Sequence, residues 1–213
     1  MNKTTYCTIY IVGHGQSEAN VAKLHGLNTK LSPKGLKQAK ELSKKFRDIH
    51  FDAIFSSPLI RAKETVEFIA EEQKLEVLTK ETLRERHEGA VDGKAVDAAK
   101  KEFEKTYKMR EELPYEEWKT MSIAEGYESD ESLMSRFITT LREIAIAYPG
   151  KTILVGSHVG IMKTLLIHLG YGTHKTLPSS GFTNTSSIKI KTDGVDFFLE
   201  QIDGIENITI HNE

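Results

Sequence analysis

Apolar residues occur along the chain in short runs that alternate with segments of helical period. These runs are rich in β-branched and aromatic residues and almost continuously apolar, which is typical of strands covered on both faces of a sheet. The predicted strands are residues 5–12, 53–55, 75–78 and 152–156. Residues 187–191 and 195–200 are predicted to form a hairpin that turns through Asp193-Gly194.

The segments between the strands carry apolar residues three or four positions apart, as helices with one buried face do. Ser32-Pro33 predicts an N-cap and a first helical position, and Gly170 predicts the end of a helix over 161–169. The apolar positions of the other helices are Leu36, Ala39, Leu42 and Phe46, then Ala62, Val66 and Ile69, then Leu133, Phe137, Leu141, Ile144 and Tyr148. Because helical crossovers join parallel strands, we expect an α/β fold, a three-layer α/β/α sandwich with a mostly parallel central sheet.

Residues 94–128 have a different character from the rest of the chain. They are highly charged and carry a helix-like stripe of Val96, Ala99, Phe103 and Tyr107. We interpret this segment as a mainly helical insertion over one end of a single domain that spans residues 1–213.

Composition excludes several classes of function. Lys and Arg total 29 against 31 Asp and Glu, a net charge of −2, whereas a general nucleic-acid binder would carry a basic excess. The single cysteine, Cys7, excludes an internal disulfide framework and a cysteine-built zinc site. No apolar run approaches the roughly 20 residues of a membrane span, and the start lacks a secretory signal. We expect a cytoplasmic protein with no nucleic-acid or membrane partner.

Reactive polar residues follow directly after the predicted strands. His14 follows the first strand, Arg61 the second, Glu85 the third and His158 the fourth along the chain. In open α/β sheets, ligands bind beyond the carboxyl ends of the strands. The four side chains are therefore expected to converge at one edge of the sheet.

This set of residue types suits phosphoryl transfer. A neutral imidazole can attack phosphorus, and the glycines beside His14, Gly13 and Gly15, leave room for a bulky phosphoryl group. A second histidine and an arginine can hold the non-bridging oxygens, and a carboxylic acid of raised pKa can protonate the leaving alcohol. Because protein cations neutralise the charge, we expect neither a metal nor a cofactor.

Six blocks of sequence, in order, resemble the histidine phosphatase superfamily, whose branches include cofactor-dependent phosphoglycerate mutase and many phosphomonoesterases. The resemblance runs from about Ile9 to Ser187 and implies a phosphoglycerate mutase-like fold. The blocks are Gly13-His14-Gly15-Gln16-Ser17 with Asn20, Leu31-Ser32-Pro33-Lys34-Gly35-Leu36-Lys37-Gln38-Ala39, Ser56-Ser57-Pro58-Leu59 with Arg61, Ala62 and Thr65, Leu83-Arg84-Glu85-Arg86 with Gly89 and Gly93, Ser157-His158-Val159-Gly160, and Asn184-Thr185-Ser186.

The resemblance implies a role for each matching residue. His14 would be the phosphorylated nucleophile, Arg61 and His158 would bind phosphate, and Glu85 would donate the proton. The further phosphate-binding or substrate-binding positions are Gly13, Gly15, Ser17, Asn20, Arg86 and Val159.

Two positions depart from the family pattern. Gly13 stands where the family has an arginine that binds the transferred phosphoryl group, and Val159 replaces a frequent glycine. Lys23, Arg86 and Lys163 are candidates to compensate for the missing arginine. We expect Gly13→Arg to raise kcat/KM about 10²-fold, the scale of one preorganised donor.

The preferred function is a phosphomonoester hydrolase that acts through a phosphohistidine on a small phosphorylated metabolite. Glu85-Arg86-His87 keeps a cofactor-dependent phosphoglycerate mutase as the alternative, although Glu88 and Val96 replace the tyrosine and lysine of the mutases and no Arg-Arg pair occurs. Gly13 keeps open a second alternative, a phosphate-binding pseudoenzyme or inactivated variant. The oligomeric state stays open, with a homodimer among the alternatives.

Overall fold

Six strands form one sheet in the computed structural model, which describes residues 5–177 and 181–206. The strands are β1 (Cys7–Gly13), β2 (Ala53–Ser56), β3 (Val77–Thr79), β4 (Thr152–Ser157), β5 (Phe182–Thr192) and β6 (Phe197–Ile205). Their order is β3-β2-β4-β1-β5-β6, and β5 alone of these six runs against the others. The predicted mostly parallel sheet is therefore confirmed.

Helices cover both faces of this sheet. They are α1 (Glu18–Ala22), α2 (Pro33–Lys45), α3 (Ile60–Gln73), α4 (Val96–Glu102), α5 (Glu104–Glu111), α6 (Tyr115–Trp118), α7 (Asp130–Ala147) and α8 (Val159–His168). Helices α2 and α3 pack on one face, and α7 and α8 pack on the other. This is the predicted three-layer sandwich.

Alternation along the central strands divides the core between the two faces. Ile9 and Ile11 of β1 face the α7–α8 layer, whereas Val12 faces the α2–α3 layer. All three are fully buried, and each such aliphatic side chain contributes about 1.5–3 kcal/mol. Two covered faces explain the continuous apolar runs in the sequence. No helix within residues 5–177 and 181–206 is long and apolar enough to cross a membrane.

The structure adds two features that the hydrophobic pattern did not predict. Helix α1 has only five residues, and its start is fixed by a capping box between Ser17 and Asn20 rather than by apolar periodicity. Strand β5 begins at Phe182, five positions before the predicted start. Its first residues are polar and irregularly paired, and Thr185 adopts a left-handed φ of 60°, so they lack the alternation of a strand.

Residues 94–128 contain α4, α5 and α6. The segment has a small apolar cluster of its own, in which Ala99 and Ile123 pack with Val91. It also supplies Arg110, which forms a buried ion pair with Asp130 at the start of α7. This contact holds the segment against the end of the sheet where the strands β1 and β4 finish.

Candidate active site

The register of β1 against β4 places two histidines side by side. Gly13 pairs with Ser157 in parallel register, so the next residues, His14 and His158, leave the sheet together. Their ring centroids are 5.2 Å apart and the rings are tilted by 66°. Adjacent parallel strands therefore produce the convergence that the sequence predicted for these two residues.

His14 is held in one tautomer. Arg61 donates its Nε–H to Nε2 of His14 at 3.0 Å, and a guanidinium has no lone pair with which to accept. Nδ1 therefore carries the ring proton and donates it to the carbonyl oxygen of Gly15 at 2.7 Å. Burial and the charge of Arg61 lower the pKa of His14 to about 3, so the imidazole is neutral with its lone pair on Nε2.

Arg61 reaches this site from the first turn of α3, just after β2. It is 7% exposed, and its Nη1 donates to the carbonyl oxygen of Leu27 at 2.9 Å. Burial lowers the pKa of Arg61, whereas Glu85 and Glu88 raise it. An arginine stays protonated in either case, so the site holds one permanent, oriented cation.

His158 is fully buried beside His14. Its Nε2 lies 2.8 Å from Oγ of Ser57, and Ser57 Oγ also accepts from the backbone N–H of Leu59. Nδ1 is buried and has no hydrogen-bond partner among the described residues. Burial and the charge of Arg61 hold the pKa of His158 well below its usual range.

Glu85 approaches from the loop after β3. Its Oε1 accepts from the backbone N–H of Arg86 at 2.9 Å, and its Oε2 accepts from that of Gly160 at 3.2 Å. A Cβ at position 160 would come within 2.8 Å of the carboxylate oxygens, so any other residue there would displace the Glu85 carboxylate from this position. Burial raises the pKa of Glu85 despite these hydrogen bonds and the nearby cations, as a general acid requires.

Backbone contacts fix the loop that carries His14. The N–H of Gly15 donates to Oγ1 of Thr65 at 3.0 Å, and the carbonyl oxygen of His14 accepts from Nδ2 of Asn184 at 3.3 Å. A Cβ at Gly15 would lie 2.6 Å from the carbonyl oxygen of Gly35, so only glycine allows this close approach to α2. The loop that carries His14 is therefore held from both sides by backbone contacts.

Ser17 and Asn20 have a structural task in addition to their predicted one. Ser17 accepts from the N–H of Asn20 at 3.2 Å, and Oδ1 of Asn20 accepts from the N–H of Ser17 at 3.0 Å. Both residues line the same cavity as His14. Asn20 is exposed there, and its Nδ2 makes no hydrogen bond among the described residues, so contact with phosphate stays a prediction.

A cavity of about 380 Å³ opens onto this cluster. His14, Arg61, Glu85, Arg86 and Val159 all line it, whereas His158 is not among its lining residues. His158 is fully buried beside His14, so its contact with phosphate stays a prediction.

Arg86 lies between this cavity and a second one of about 240 Å³. Its Nη2 lies 2.7 Å from Oδ1 of Asp130, and its Nη1 donates to the carbonyl oxygen of Glu128 at 2.5 Å. Asp130 also pairs with Arg110 at 2.9 Å, and the Arg110 guanidinium stacks over Trp118. The guanidinium of Arg86 is thus held by Asp130 of α7 and by Glu128 at the end of the 94–128 segment, and its substrate contact stays a prediction.

Sequence reasoning missed two charged features of the cavity. His25 lies 3.2 Å from the carboxylate of Glu88, whose hydrogen bond raises the pKa of His25. Arg84 also lines the cavity, one residue before Glu85. Their positions in the chain gave no signal, because His25 lies outside the quoted motif blocks and Arg84 resembles any solvated cation beside an acid.

Solved structures share this fold. A mycobacterial glucosyl-3-phosphoglycerate phosphatase superposes with a TM-score of 0.76 over 94% of this chain and 100% of its own, at 21% identity. At that identity the likeness establishes the fold alone, the phosphoglycerate mutase-like α/β sandwich.

Two curated relatives are more similar in sequence. Phosphoglycerate mutase-like protein 4 of Arabidopsis thaliana is 33% identical over 75% of this chain and 70% of its own. Phosphoserine phosphatase 1 of Hydrogenobacter thermophilus is 31% identical over 74% of this chain and 73% of its own.

Residues 9–203 match the family model described as histidine phosphatase superfamily (branch 1). The protein is an enzyme of the phosphoglycerate mutase-like phosphatase type. The chain belongs to the histidine phosphatase superfamily, branch 1.

Proposed function

We propose that the protein hydrolyses phosphomonoesters of small metabolites through a phosphohistidine on His14. One observation carries the proposal: the lone pair of His14 is fixed on Nε2, and Glu85, a carboxyl of raised pKa, lines the same cavity. The surroundings of each residue thus favour the protonation state that its role requires, a neutral imidazole for His14 and a protonated carboxyl for Glu85.

In the first step, Nε2 of His14 attacks phosphorus and the bond from phosphorus to the alcohol oxygen breaks. The carboxyl of Glu85 gives its proton to that oxygen, so the alcohol leaves neutral and Glu85 becomes a carboxylate. Arg61 turns from Nε2 to the non-bridging oxygens and neutralises their charge. The Nδ1–H···O=C bond to Gly15 stabilises the charge that develops on the ring.

In the second step, water attacks the phosphohistidine. The Glu85 carboxylate takes a proton from the water as the oxygen bonds to phosphorus. The N–P bond then breaks and its electron pair returns to Nε2 of His14. Inorganic phosphate leaves, and both residues regain their starting protonation states.

The other predicted residues support binding in this proposal. The side chains of Ser17 and Asn20 contact the phosphate, and His158 contacts it once Arg61 has turned. Gly15, predicted from the sequence as a phosphate contact, instead positions His14, because its N–H and C=O are already hydrogen-bonded to Thr65 and His14. Arg86 shapes the wall between the two cavities. No metal or cofactor enters either step, because Arg61 supplies the positive charge and the histidines supply the nucleophile and a hydrogen-bonding group.

The leaving alcohol lies on the side of the cavity that faces Glu85 and the second cavity. A volume of about 380 Å³ suits a small metabolite rather than a phosphoprotein. The carboxylate of Glu88 lines the same cavity, which supports a hydrolase over a phosphoglycerate mutase, since an acidic residue repels a carboxylate substrate.

A substrate panel tests the proposed function. Wild-type protein is incubated with an aryl phosphate, phosphoserine, sugar phosphates, nucleotides and 3-phosphoglycerate, each with and without a strong chelator. We expect release of inorganic phosphate that the chelator leaves unchanged. Interconversion of phosphoglycerates dependent on 2,3-bisphosphoglycerate would instead establish the mutase, and phosphate binding without any turnover would establish the pseudoenzyme.

A further inference from the structure

The two residues at which the chain departs from the family motif lie against each other. A Cβ at Gly13 would lie 3.4 Å from Cγ2 of Val159, 3.5 Å from Oγ of Ser186 and 3.7 Å from Sδ of Met162. Gly13 ends a regular strand and does not have a positive φ, so its backbone accepts any side chain. The room for a longer side chain is therefore set by these three neighbours.

Val159 is the nearest of the three neighbours, and it lines the catalytic cavity from the start of α8. An arginine at position 13 would have to pass its Cγ2 methyl group, which a glycine at position 159 would not present. The distance of 3.4 Å is an ordinary van der Waals contact for a Cβ, so the methyl group limits only the path that a longer side chain can take. The side chain of Val159 lies on the side of the site from which an arginine at position 13 would reach the phosphoryl group.

The charge of the phosphoryl group must then be neutralised from elsewhere. None of the three cations suggested by the sequence suits this task. Lys23 is not among the residues that line the cavity, and Lys163 lines the second cavity instead. The guanidinium of Arg86 is held by Asp130 and by the carbonyl oxygen of Glu128.

Arg84 is placed differently. It lines the catalytic cavity, and its one side-chain hydrogen bond among the described residues joins Nη1 to Oε1 of Glu81 at 3.5 Å. That contact is weak and exposed, and the Arg84 side chain is 31% exposed, so its head group can turn at little cost. Burial is the main cause that lowers the pKa of Arg61 and of His158, and the charge of Arg84 adds to it in both cases.

We propose that Arg84 neutralises the transferred phosphoryl group in place of an arginine at position 13, while Val159 closes the side from which that arginine would reach. This inference rests on the proposed phosphatase function. Arg84 is then a catalytic residue that reaches the phosphoryl group from the β3 side of the sheet. The arginine of the family motif would reach the same group from the end of β1.

The first test compares Arg84→Gln with two control variants. Glu81→Gln breaks the same ion pair but keeps the arginine, and Arg47→Gln makes the same change at an exposed site outside both cavities. We expect Arg84→Gln to lower kcat/KM for an aryl phosphate about 10²-fold and to weaken binding of inorganic phosphate in calorimetry. Arg84→Lys should recover part of the loss, since it keeps the charge without the planar fork. A value for Arg84→Gln within twofold of both controls would overturn the proposal.

The second test returns the motif arginine. Gly13→Arg alone should gain little, because Val159 remains, and this revises the roughly 10²-fold gain expected from the sequence. Gly13→Arg with Val159→Gly should instead raise kcat/KM by more than about tenfold. In that double background, the loss caused by Arg84→Gln should shrink to a few-fold, because two cations now share the task. If Arg84→Gln lowers kcat/KM equally in the wild type and in the double variant, the two arginines do not share one task, which would contradict the proposal. If the double variant does not fold, the first test decides alone.

Phosphate binding separates this inference from the proposed function. If the wild type binds inorganic phosphate but hydrolyses nothing, the proposed function fails, and weaker binding by Arg84→Gln still supports the phosphate contact of Arg84. If the wild type hydrolyses phosphomonoesters and Arg84→Gln matches its controls, the function stands and the inference about Arg84 fails.

Discussion

Nε of Arg61 lies 3.0 Å from Nε2 of His14 and donates its proton to the atom that would attack phosphorus. One contact thus has two effects. It keeps the imidazole neutral, since the charge of Arg61 lowers the pKa of His14, and it covers the lone pair until an anion draws the guanidinium away. In the proposed mechanism, a phosphate ester therefore uncovers Nε2 of His14 when it binds.

This contact predicts paired effects of Arg61→Gln. The pKa of His14 should rise, because one of the two causes that lower it is removed, and NMR titration of the imidazole measures this directly. The kcat/KM should fall by about 10³-fold or more, the scale for an arginine on a transferring phosphoryl group. A lower kcat/KM with an unchanged His14 pKa would contradict the electrostatic coupling.

Glu85→Gln should separate substrates by leaving group. The variant cannot protonate the alcohol, so first-turnover release of the alcohol from alkyl phosphates should fall by about 10²–10⁴-fold, whereas the first-turnover burst of an activated aryl alcohol should change far less. In the wild type, kcat for alkyl phosphates should decline as pH rises through the raised pKa of Glu85, because only the protonated form is active. Equal losses for both substrate classes would remove Glu85 from the acid role.

The buried histidines predict a pH-dependent free energy of unfolding. The pKa of His14 and of His158 is lowered in the folded state, so the unfolded chain binds more protons below its own histidine pKa of about 6.5. Stability is complete above that pH and is lost as pH falls, by about 1.4 kcal/mol per pH unit for each histidine.

Denaturant unfolding between pH 5 and pH 7 measures this slope. His14→Gln should remove about half of it, and the change at the exposed His50, His50→Gln, serves as the control. A slope that His14→Gln leaves unchanged would mean that His14 is protonated in the folded protein.

Outside the reacting groups, we expect substitution of Asp130 to lower the free energy of unfolding most. Its carboxylate pairs with Arg86 and Arg110 and accepts from Nε1 of Trp118 at 3.2 Å. Asp130→Ala leaves two buried arginines without this partner and should cost about 3–5 kcal/mol of unfolding free energy. The adjacent Glu131→Ala should change stability by less than about 0.5 kcal/mol, because that side chain is 60% exposed. Similar losses in both variants would show that the buried network adds nothing.

The sequence predicted the parts of the fold that depend on local pattern. Strands covered on both faces are recognisable as apolar runs, and the sheet-edge rule then brought His14, Arg61, Glu85 and His158 together without knowledge of any distance. The short helix α1 was not predicted, because five residues are too few to show a helical repeat of apolar positions.

Long-range partners could not be predicted from the sequence. The commitment of Arg86 to Asp130 depends on how α7 meets the loop after β3, which no local pattern encodes. The contact between Gly13 and Val159 likewise appears only when β1 and α8 are packed, so the sequence treated as two departures what the structure shows as one contact.

The most direct test of the central claim is to trap the phosphorylated residue. In Glu85→Gln, an activated aryl phosphate should still phosphorylate His14, whereas the water of the second step lacks its base. We expect acid-labile, base-stable label at close to one per chain, assigned to His14 by peptide mass spectrometry and absent from the double variant His14→Ala/Glu85→Gln. Label that persists without His14, or turnover by His14→Ala at the wild-type rate, would contradict a phosphohistidine mechanism at this site.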